Sequence, residues 1–457
     1  MTSLLENKKH IHFIGIGGSG MFPIVQILHS EGFYITGSDN NETETVKIER
    51  EMGIPVFMGQ RAENIIGADL IVYTAAIMSD NPELIAAKAS GVLCVERSIM
   101  LGEITRRYDR AICISGTHGK TTTSALLTQI LVKAKKDPTA VIGGKLPLIN
   151  GSGIAGKSDL MVCESCEFVD TFLKLSPNIA VILNIDEDHL DYFKTLDNII
   201  KSFNKFAKMA DKCIIVNGDD ENSLRAIKDI SNVKIVKFGY REGNDFVIKN
   251  VSFDGYGYSY DLFFNSEYLM HVVLSVPGEH NILNSAAAVA CAIEVGVSKD
   301  DIEKAIPTFS GAGRRFERLG VVNGFTVVDD YAHHPKEIEV TLKAAKKLHF
   351  NKIWAVFQPF TYSRTAMLLS DFATALSIAD NVVLSEIMGS REKNTYNIYS
   401  KDLADKIDGC VWFNTFEEIA DYVFKNAQEN DLVITLGCGD VYKCAKMILQ
   451  KGDKKDG

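Results

Sequence analysis

The sequence contains no apolar run near the ~18–20 residues that a membrane-spanning helix needs. Its first segment, Met1 to His10, is polar and lacks the apolar core of a secretory leader. Both absences predict a cytoplasmic protein with no membrane insertion. Positive charge is in short supply: 49 Lys and Arg stand against 59 Asp and Glu, a net charge of -10. This argues against a general binder of nucleic acid or anionic membrane, while leaving room for a local basic pocket for phosphates. There is no short-period repeat and no low-complexity linker. The nine cysteines are an odd number and are scattered from Cys94 to Cys444, which is simplest if they are reduced. One pair, Cys163 and Cys166, has C-x-x-C spacing but no second such pair or nearby histidines, so the pattern does not predict zinc or redox use.

What is present is ordinary globular material: 457 residues, 46% hydrophobic and 24% charged, which argues against a mainly disordered chain. That length predicts about three domains. Continuous apolar stretches such as His12 to Ile14, Leu70 to Tyr73 and Ala111 to Ser115 read as buried parallel strands, with helical runs between them. Residues 247–276 alternate more and read as antiparallel strands. Pro277-Gly278 then ends them, and an Ala-rich helix follows from Asn284 to Val295. The tail from Lys451 is charged and expected to fray. The expected organisation is α/β in three domains: a Rossmann-like sheet over 1–107, a central P-loop ATPase-like domain over 108–312, and a second Rossmann-like domain over 313–457.

Two glycine loops carry the chemistry. The first is Gly15-Ile16-Gly17-Gly18-Ser19-Gly20, a G-x-G-x-x-G turn between strand and helix, with Asp39 after the next strand. Glycines let backbone amides approach a pyrophosphate, and an acid at Asp39 can accept from a ribose hydroxyl. The pattern fits a dinucleotide, any diphosphate-bearing nucleotide, or a turn that only packs helix on strand. The second is Gly116-Thr117-His118-Gly119-Lys120-Thr121-Thr122, a shortened P-loop. Its amides cradle phosphate, Lys120 reaches the β and γ oxygens, and the Thr121 hydroxyl can hold Mg2+. Two such loops predict one chain that binds both a phosphate-bearing substrate and a nucleoside triphosphate. A dehydrogenase has no use for the second loop.

Four segments in order resemble the Mur ligase family of peptidoglycan synthesis. They are the G-T-H-G-K-T-T loop, Asn184 to Asp191 (N-x-x-x-D-H-x-D), His280 to Asn284 (H-N-x-x-N), and Arg314-Arg315-Phe316-Glu317. Asp329 to Pro335 (D-D-Y-A-H-H-P) and Phe357 to Thr365 resemble the alanine-adding branch in particular. Phe360 stands where a histidine is usual there. The runner-up is the related branch that recycles muropeptides. A rival of another class is a nucleotide-dependent regulator without ligase activity. Later ligases carry a modified lysine near the position of Asn204, which here is flanked by Lys201 and Lys205.

The resemblance implies ATP-dependent joining of L-alanine to UDP-N-acetylmuramate through an acyl phosphate, with ATP and Mg2+ as cofactors, by a monomer or homodimer. It assigns Thr121, Glu164 and His189 to the metal, although a strand-end acid and a hydrogen-bonded histidine are the plain alternatives. Asn281 and Asn284 are assigned to ATP, against simple helix capping. Arg315 is assigned to the γ-phosphate and Asp330 to the nucleotide, with an exposed ion pair as the alternative for Arg315. His333 or His334 would guide the incoming amine or a proton, and Arg364 would pair with the L-alanine carboxylate. These groups lie in two expected domains, so the third must close over the second, with a hinge at 311–313.

Overall fold

The computed structural model describes residues 3–390 and 392–453. Strands and helices alternate along the chain, and the strands form three sheets of five, ten and six. One sheet falls in each of the three expected segments, so the α/β reading holds. No helix among the described residues is long and apolar enough to cross a membrane.

The first sheet is parallel throughout, in the order Val56–Met58, Tyr34–Asp39, His10–Ile14, Leu70–Tyr73, Leu93–Glu96. His10–Ile14 is buried after its first residue, as a strand covered on both faces must be. Strand order reverses on either side of it, and such a reversal opens a crevice where ligands bind. The first glycine loop leaves from that point.

At the centre of the ten-stranded sheet, Ile179–Ile182, Arg110–Ser115 and Leu160–Glu164 run parallel, side by side. Ile114 pairs with Glu164, which sets an acid beside the start of the second loop. The alternating stretch forms Phe246–Phe253, Tyr258–Phe264 and Glu267–Val273 at one edge. The last two are a hairpin on a two-residue turn, Asn265 (φ 49) and Ser266 (φ 69). The Ala-rich helix spans His280–Glu294, four residues earlier than expected. Asn281 and Asn284 therefore lie inside its first turns and do not cap it.

The third sheet runs Glu317–Val322, Phe325–Asp330, Leu432–Leu436, Ile353–Phe357, Asn381–Ser385, Val411–Phe413, parallel except for its first, antiparallel strand. Asp330 is the last residue of its strand. The final helix, Tyr442–Asp453, takes in Lys451, so the expected frayed tail does not begin there; 454–457 lie outside the described residues. Glu317–Val322, Val56–Met58 and Val411–Phe413 escaped the sequence reading because they are short or half-exposed and carry little apolar periodicity.

By contacts the chain forms two compact units. One holds the residues up to Asn250 with Tyr260–Val272 and Leu283–Phe309; the other holds Val251–Ser259, Val273–Ile282 and the chain from Ser310 onward. Within the first, one apolar core joins Ile11, Phe13 and Val72 to Ala111, Met161 and Ala180, so residues 1–107 and the sheet after them share an interior.

Candidate active site

In the first glycine loop the amides of Gly15 and Ile16 donate to the Ser38 carbonyl at 2.8 and 3.0 Å. The Gly17 amide donates to Asp39 Oδ2 at 3.0 Å. Asp39 thus braces the loop itself, in addition to any ribose contact. A side chain at Gly17 would come within 2.5 Å of Val46 Cγ2, so the turn demands glycine there. Gly18 donates back to Gly15, which leaves the amides of Ser19 and Gly20 without a partner among the described residues. Beside them the Arg97 guanidinium donates to the Gly20 carbonyl at 3.4 Å. Its charge also reaches Cys163, next to Glu164. Sequence reasoning missed Arg97 because it is distant in the chain.

The second loop follows the buried strand Arg110–Ser115 and opens the helix Lys120–Lys133. Gly119 caps that helix at φ 86, and an added Cβ would run into Asn284. Asn284 is therefore brought to the loop as expected. Asn281 instead donates to the Pro277 carbonyl at 2.7 Å. Asn184, the first residue of the N-x-x-x-D-H-x-D segment, holds the loop from the other side. Its Oδ1 accepts from the His118 amide at 2.8 Å, its Nδ2 donates to the His118 carbonyl at 3.1 Å, and its carbonyl accepts from Thr117 at 3.0 Å. The Thr117 hydroxyl accepts from the Asp186 amide at 2.9 Å.

Lys120 folds back on its own loop, donating to the carbonyls of Gly116 and Thr117 at 2.5 and 3.1 Å and to Glu167 at 2.9 Å. Burial opposes its charge, but Glu167, with Cys166 and Glu164, outweighs it and holds the ammonium above the usual lysine range. Glu167 is thus the lysine's partner, a role the sequence did not disclose. Glu164 accepts from the Thr121 hydroxyl at 3.0 Å, from Ser124 at 3.3 Å and from the Gly143 amide at 2.7 Å. Thr121 and Glu164 are brought together; Thr122 simply continues the helix. His189, at φ 51, contacts neither of them: its ring lies 4.5 Å from Phe168 and its Nε2 3.8 Å from Asp188. Cys163 is buried and lies beside Cys113, while Cys166 is exposed. No trio of His, Cys, Asp or Glu among the described residues is arranged to hold a metal. The oxygen pair of Thr121 and Glu164 nonetheless has the hard-donor chemistry that Mg2+ prefers.

In the second unit Asp330 accepts from the amides of Phe316 and Ala332 at 2.7 and 2.8 Å. Burial pushes its carboxyl up to about 6, against the pull of Arg315 and those amides. Arg314 is consumed structurally, donating to Asp329 at 2.8 Å and to the carbonyls of Gly439 and Gly437 at 3.1 and 2.6 Å. Arg315 stacks over Tyr331 at 5.2 Å. The two histidines separate. His334 caps the helix Pro335–Lys346, accepting from Lys336 at 3.4 Å. His333 sits 3.1 Å from the Tyr331 carbonyl, and burial lowers its pKa, the nearby Arg364 and Arg315 adding to that and Glu337 opposing it. The Arg364 guanidinium has no acceptor among the described residues and lies within electrostatic reach of His333 and Cys438. It is a cation suited to a small carboxylate. Asn204 donates to Ala226 and to Asp229, both at 2.7 Å.

Comparison with known proteins follows this geometry. The Mur ligase family catalytic domain matches residues 10–109, the Mur ligase middle domain 114–292, and the Mur ligase glutamate ligase domain 314–439. A UDP-N-acetylmuramate–L-alanine ligase of Caldanaerobacter subterraneus subsp. tengcongensis is 43% identical over 98% of this chain and 99% of its own. The crystal structure of a UDP-N-acetylmuramate–alanine ligase from Thermotoga maritima superposes with a TM-score of 0.83 at 28% identity, covering 98% of this chain and 100% of that one. A murein peptide ligase from Psychrobacter arcticus shares the fold, with a TM-score of 0.74 at 24% identity over 97% and 98% of the two chains. On its full-length relatives and on three successive domain matches, the chain belongs to the Mur ligase family.

Proposed function

We propose that this protein joins L-alanine to the carboxylate of UDP-N-acetylmuramate, with conversion of ATP to ADP and phosphate. The observation that carries this reading is the second loop, where Lys120 folds over the loop carbonyls against Glu167 while the next residue, Thr121, meets the strand-end acid Glu164. A carboxylate is a poor electrophile with no leaving group. Its oxygen attacks the γ-phosphorus, ADP departs, and the acyl phosphate that forms is open to the amine of L-alanine. The tetrahedral adduct then expels phosphate, leaving the amide.

Lys120 exchanges Glu167 and its loop carbonyls for the β and γ oxygens, placing its charge where two anions approach. Thr121 and Glu164, with His189 as a further donor, would hold Mg2+, which supplies charge neutralisation at the same phosphates. Asn284 and Asn281 would meet the nucleoside, the first loop with Asp39 the UDP portion. Arg315 and Asp330 complete the nucleotide contacts, and Arg364 fixes the alanine carboxylate. His333, kept neutral by burial, can take the amine proton, while His334 serves as a helix cap. The reading assigns UDP binding to 1–107, ATP binding to 108–312 and alanine binding to 313–457. Residues of the last region must then act with Lys120, so domain closure on binding is expected, with the chain bending near 311–313. Use of ATP supports a cytoplasmic setting, and catalysis by a monomer or a homodimer fits equally.

The test is phosphate release with each substrate withheld in turn. Release should require ATP, UDP-N-acetylmuramate and L-alanine together, and L-alanine should outcompete a muropeptide-type tripeptide. Preference for the tripeptide would identify a recycling ligase instead. Nucleotide binding without jointly stimulated release would identify a regulator. Small-angle scattering with a non-hydrolysable ATP analogue and the sugar nucleotide should show a more compact particle.

A further inference from the structure

Next to the first glycine loop runs a polar chain that the reading above leaves unused. His12 and Glu83 are both 0% exposed, in the interior of an otherwise apolar sheet. His12 Nε2 lies 2.7 Å from Glu83 Oε1, and the Ser38 hydroxyl donates to Glu83 Oε2 at 2.7 Å. His12 Nδ1 lies 2.8 Å from the Thr36 hydroxyl, and His10 Nε2 lies 2.8 Å from the same oxygen. The protons can be assigned without a gap. His12 Nε2–H and Ser38 O–H both donate to Glu83. Thr36 donates to His12 Nδ1 and accepts from His10. Every side-chain polar atom of Thr36, His12, Ser38 and Glu83 is thereby matched.

A buried polar network of this kind seldom adds stability over an apolar filling of the same volume, so its position needs a reason. It meets the loop at one residue. Ser38, gripped by Glu83 through its hydroxyl, offers its carbonyl to the amides of Gly15 and Ile16. The next residue, Asp39, takes the amide of Gly17. Three consecutive loop amides are thus fixed by a dipeptide that Glu83 anchors. Glu83 is itself held at the start of the helix Pro82–Ala89, where its amide donates to the Asn81 side chain at 3.0 Å.

We propose that Glu83, acting through Ser38, is a positioning residue that presets the first glycine loop for the diphosphate of the sugar nucleotide. This rests on the reading that the loop binds that substrate. Glu83 touches no reacting atom, and its effect falls on one substrate alone.

Steady-state kinetics of Ser38→Ala, Glu83→Leu, Glu83→Gln and Gly17→Ala test it. Ser38→Ala and Glu83→Leu should each raise KM for UDP-N-acetylmuramate about 10-fold, the loss expected for a hydrogen bond to a charged group. In both, kcat and KM for ATP should stay within about twofold. Glu83→Gln should recover part of the loss, because its amide can still bridge Ser38 and His12. Ser38→Ala keeps the test available if Glu83→Leu does not fold. An unchanged KM for the sugar nucleotide in Ser38→Ala would overturn the proposal, as would a parallel fall of every kinetic constant, the mark of a purely structural role. Gly17→Ala separates the two levels. If it raises that KM while Ser38→Ala does not, the network idea fails and the substrate assignment stands. If it leaves that KM unmoved, the loop does not hold the sugar nucleotide and both fail.

Discussion

The two glycine loops leave parallel strands in the same way, yet they are braced in opposite senses. In the first, three amides turn inward to Ser38 and Asp39, and the amides of Ser19 and Gly20, beside the guanidinium of Arg97, have no partner among the described residues. In the second, the carbonyls of Gly116 and Thr117 are covered by the loop's own lysine, which Glu167 also holds. One is a turn fixed in shape by its neighbours, with Arg97 beside it. The other is a cluster of charge whose lysine, in the proposed reaction, exchanges its present partners for phosphate. Substitutions in the first should therefore act on binding of one substrate, and loss of the lysine in the second on rate.

The sharpest way to break this contrast is Lys120→Ala. It should lower kcat by ~10³-fold or more in a phosphate-release assay, because the γ-phosphate loses its main charge stabilisation. Calorimetry should show UDP-N-acetylmuramate binding as in the parent. Asn184→Ala comes next. Losing both side-chain bonds to His118 should weaken ATP binding by about 10- to 100-fold while leaving the sugar nucleotide alone. Arg97→Ala should do the reverse, raising KM for the sugar nucleotide about 10-fold with KM for ATP unmoved.

The smallest effect on activity comes from Glu49, behind the first loop. Both its carboxylate oxygens are buried without a hydrogen-bond partner among the described residues. Burial, with some repulsion from Asp39, pushes its carboxyl from an ordinary 4.5 up to about 8. The folded protein therefore prefers the protonated acid. The stabilising contribution is complete below about pH 4.5 and disappears as pH rises through about 8. Glu49→Leu should raise the melting temperature by about 3 °C or more at pH 8.5, and by less at pH 5, with kcat nearly unchanged.

Much of this was legible in the sequence, for a physical reason. A phosphate loop needs its glycines, lysine and hydroxyl contiguous, so Gly116 to Thr121 declares itself, whereas Glu164, at the end of Leu160–Glu164, is pointed to only by the family resemblance. What supports the loops is assembled by the sheets. Asn184 meets His118 across 66 positions, Arg97 meets Gly20 across 77, Glu83 meets His12 across 71, and Lys120 meets Glu167 across 47. No local pattern reports such pairs. Asn184 stood in a recognised segment, but its work as a brace emerged only from the parallel pairing of Ile179–Ile182 with Arg110–Ser115. An asparagine pair at the head of an Ala-rich run suggests helix caps, but after Pro277-Gly278 the helix begins at His280 and takes both residues into its first turns. His333 and His334 are alike in sequence and differ only because His334 sits at the helix N-terminus.

The central claim is that the Lys120 loop makes a sugar-borne carboxylate reactive by phosphorylating it. Oxygen transfer tests this directly. With UDP-N-acetylmuramate carrying ¹⁸O in its carboxylate, ATP and L-alanine, mass spectrometry of the released phosphate should find one ¹⁸O per turnover. Amide product accompanied by unlabelled phosphate would contradict the account.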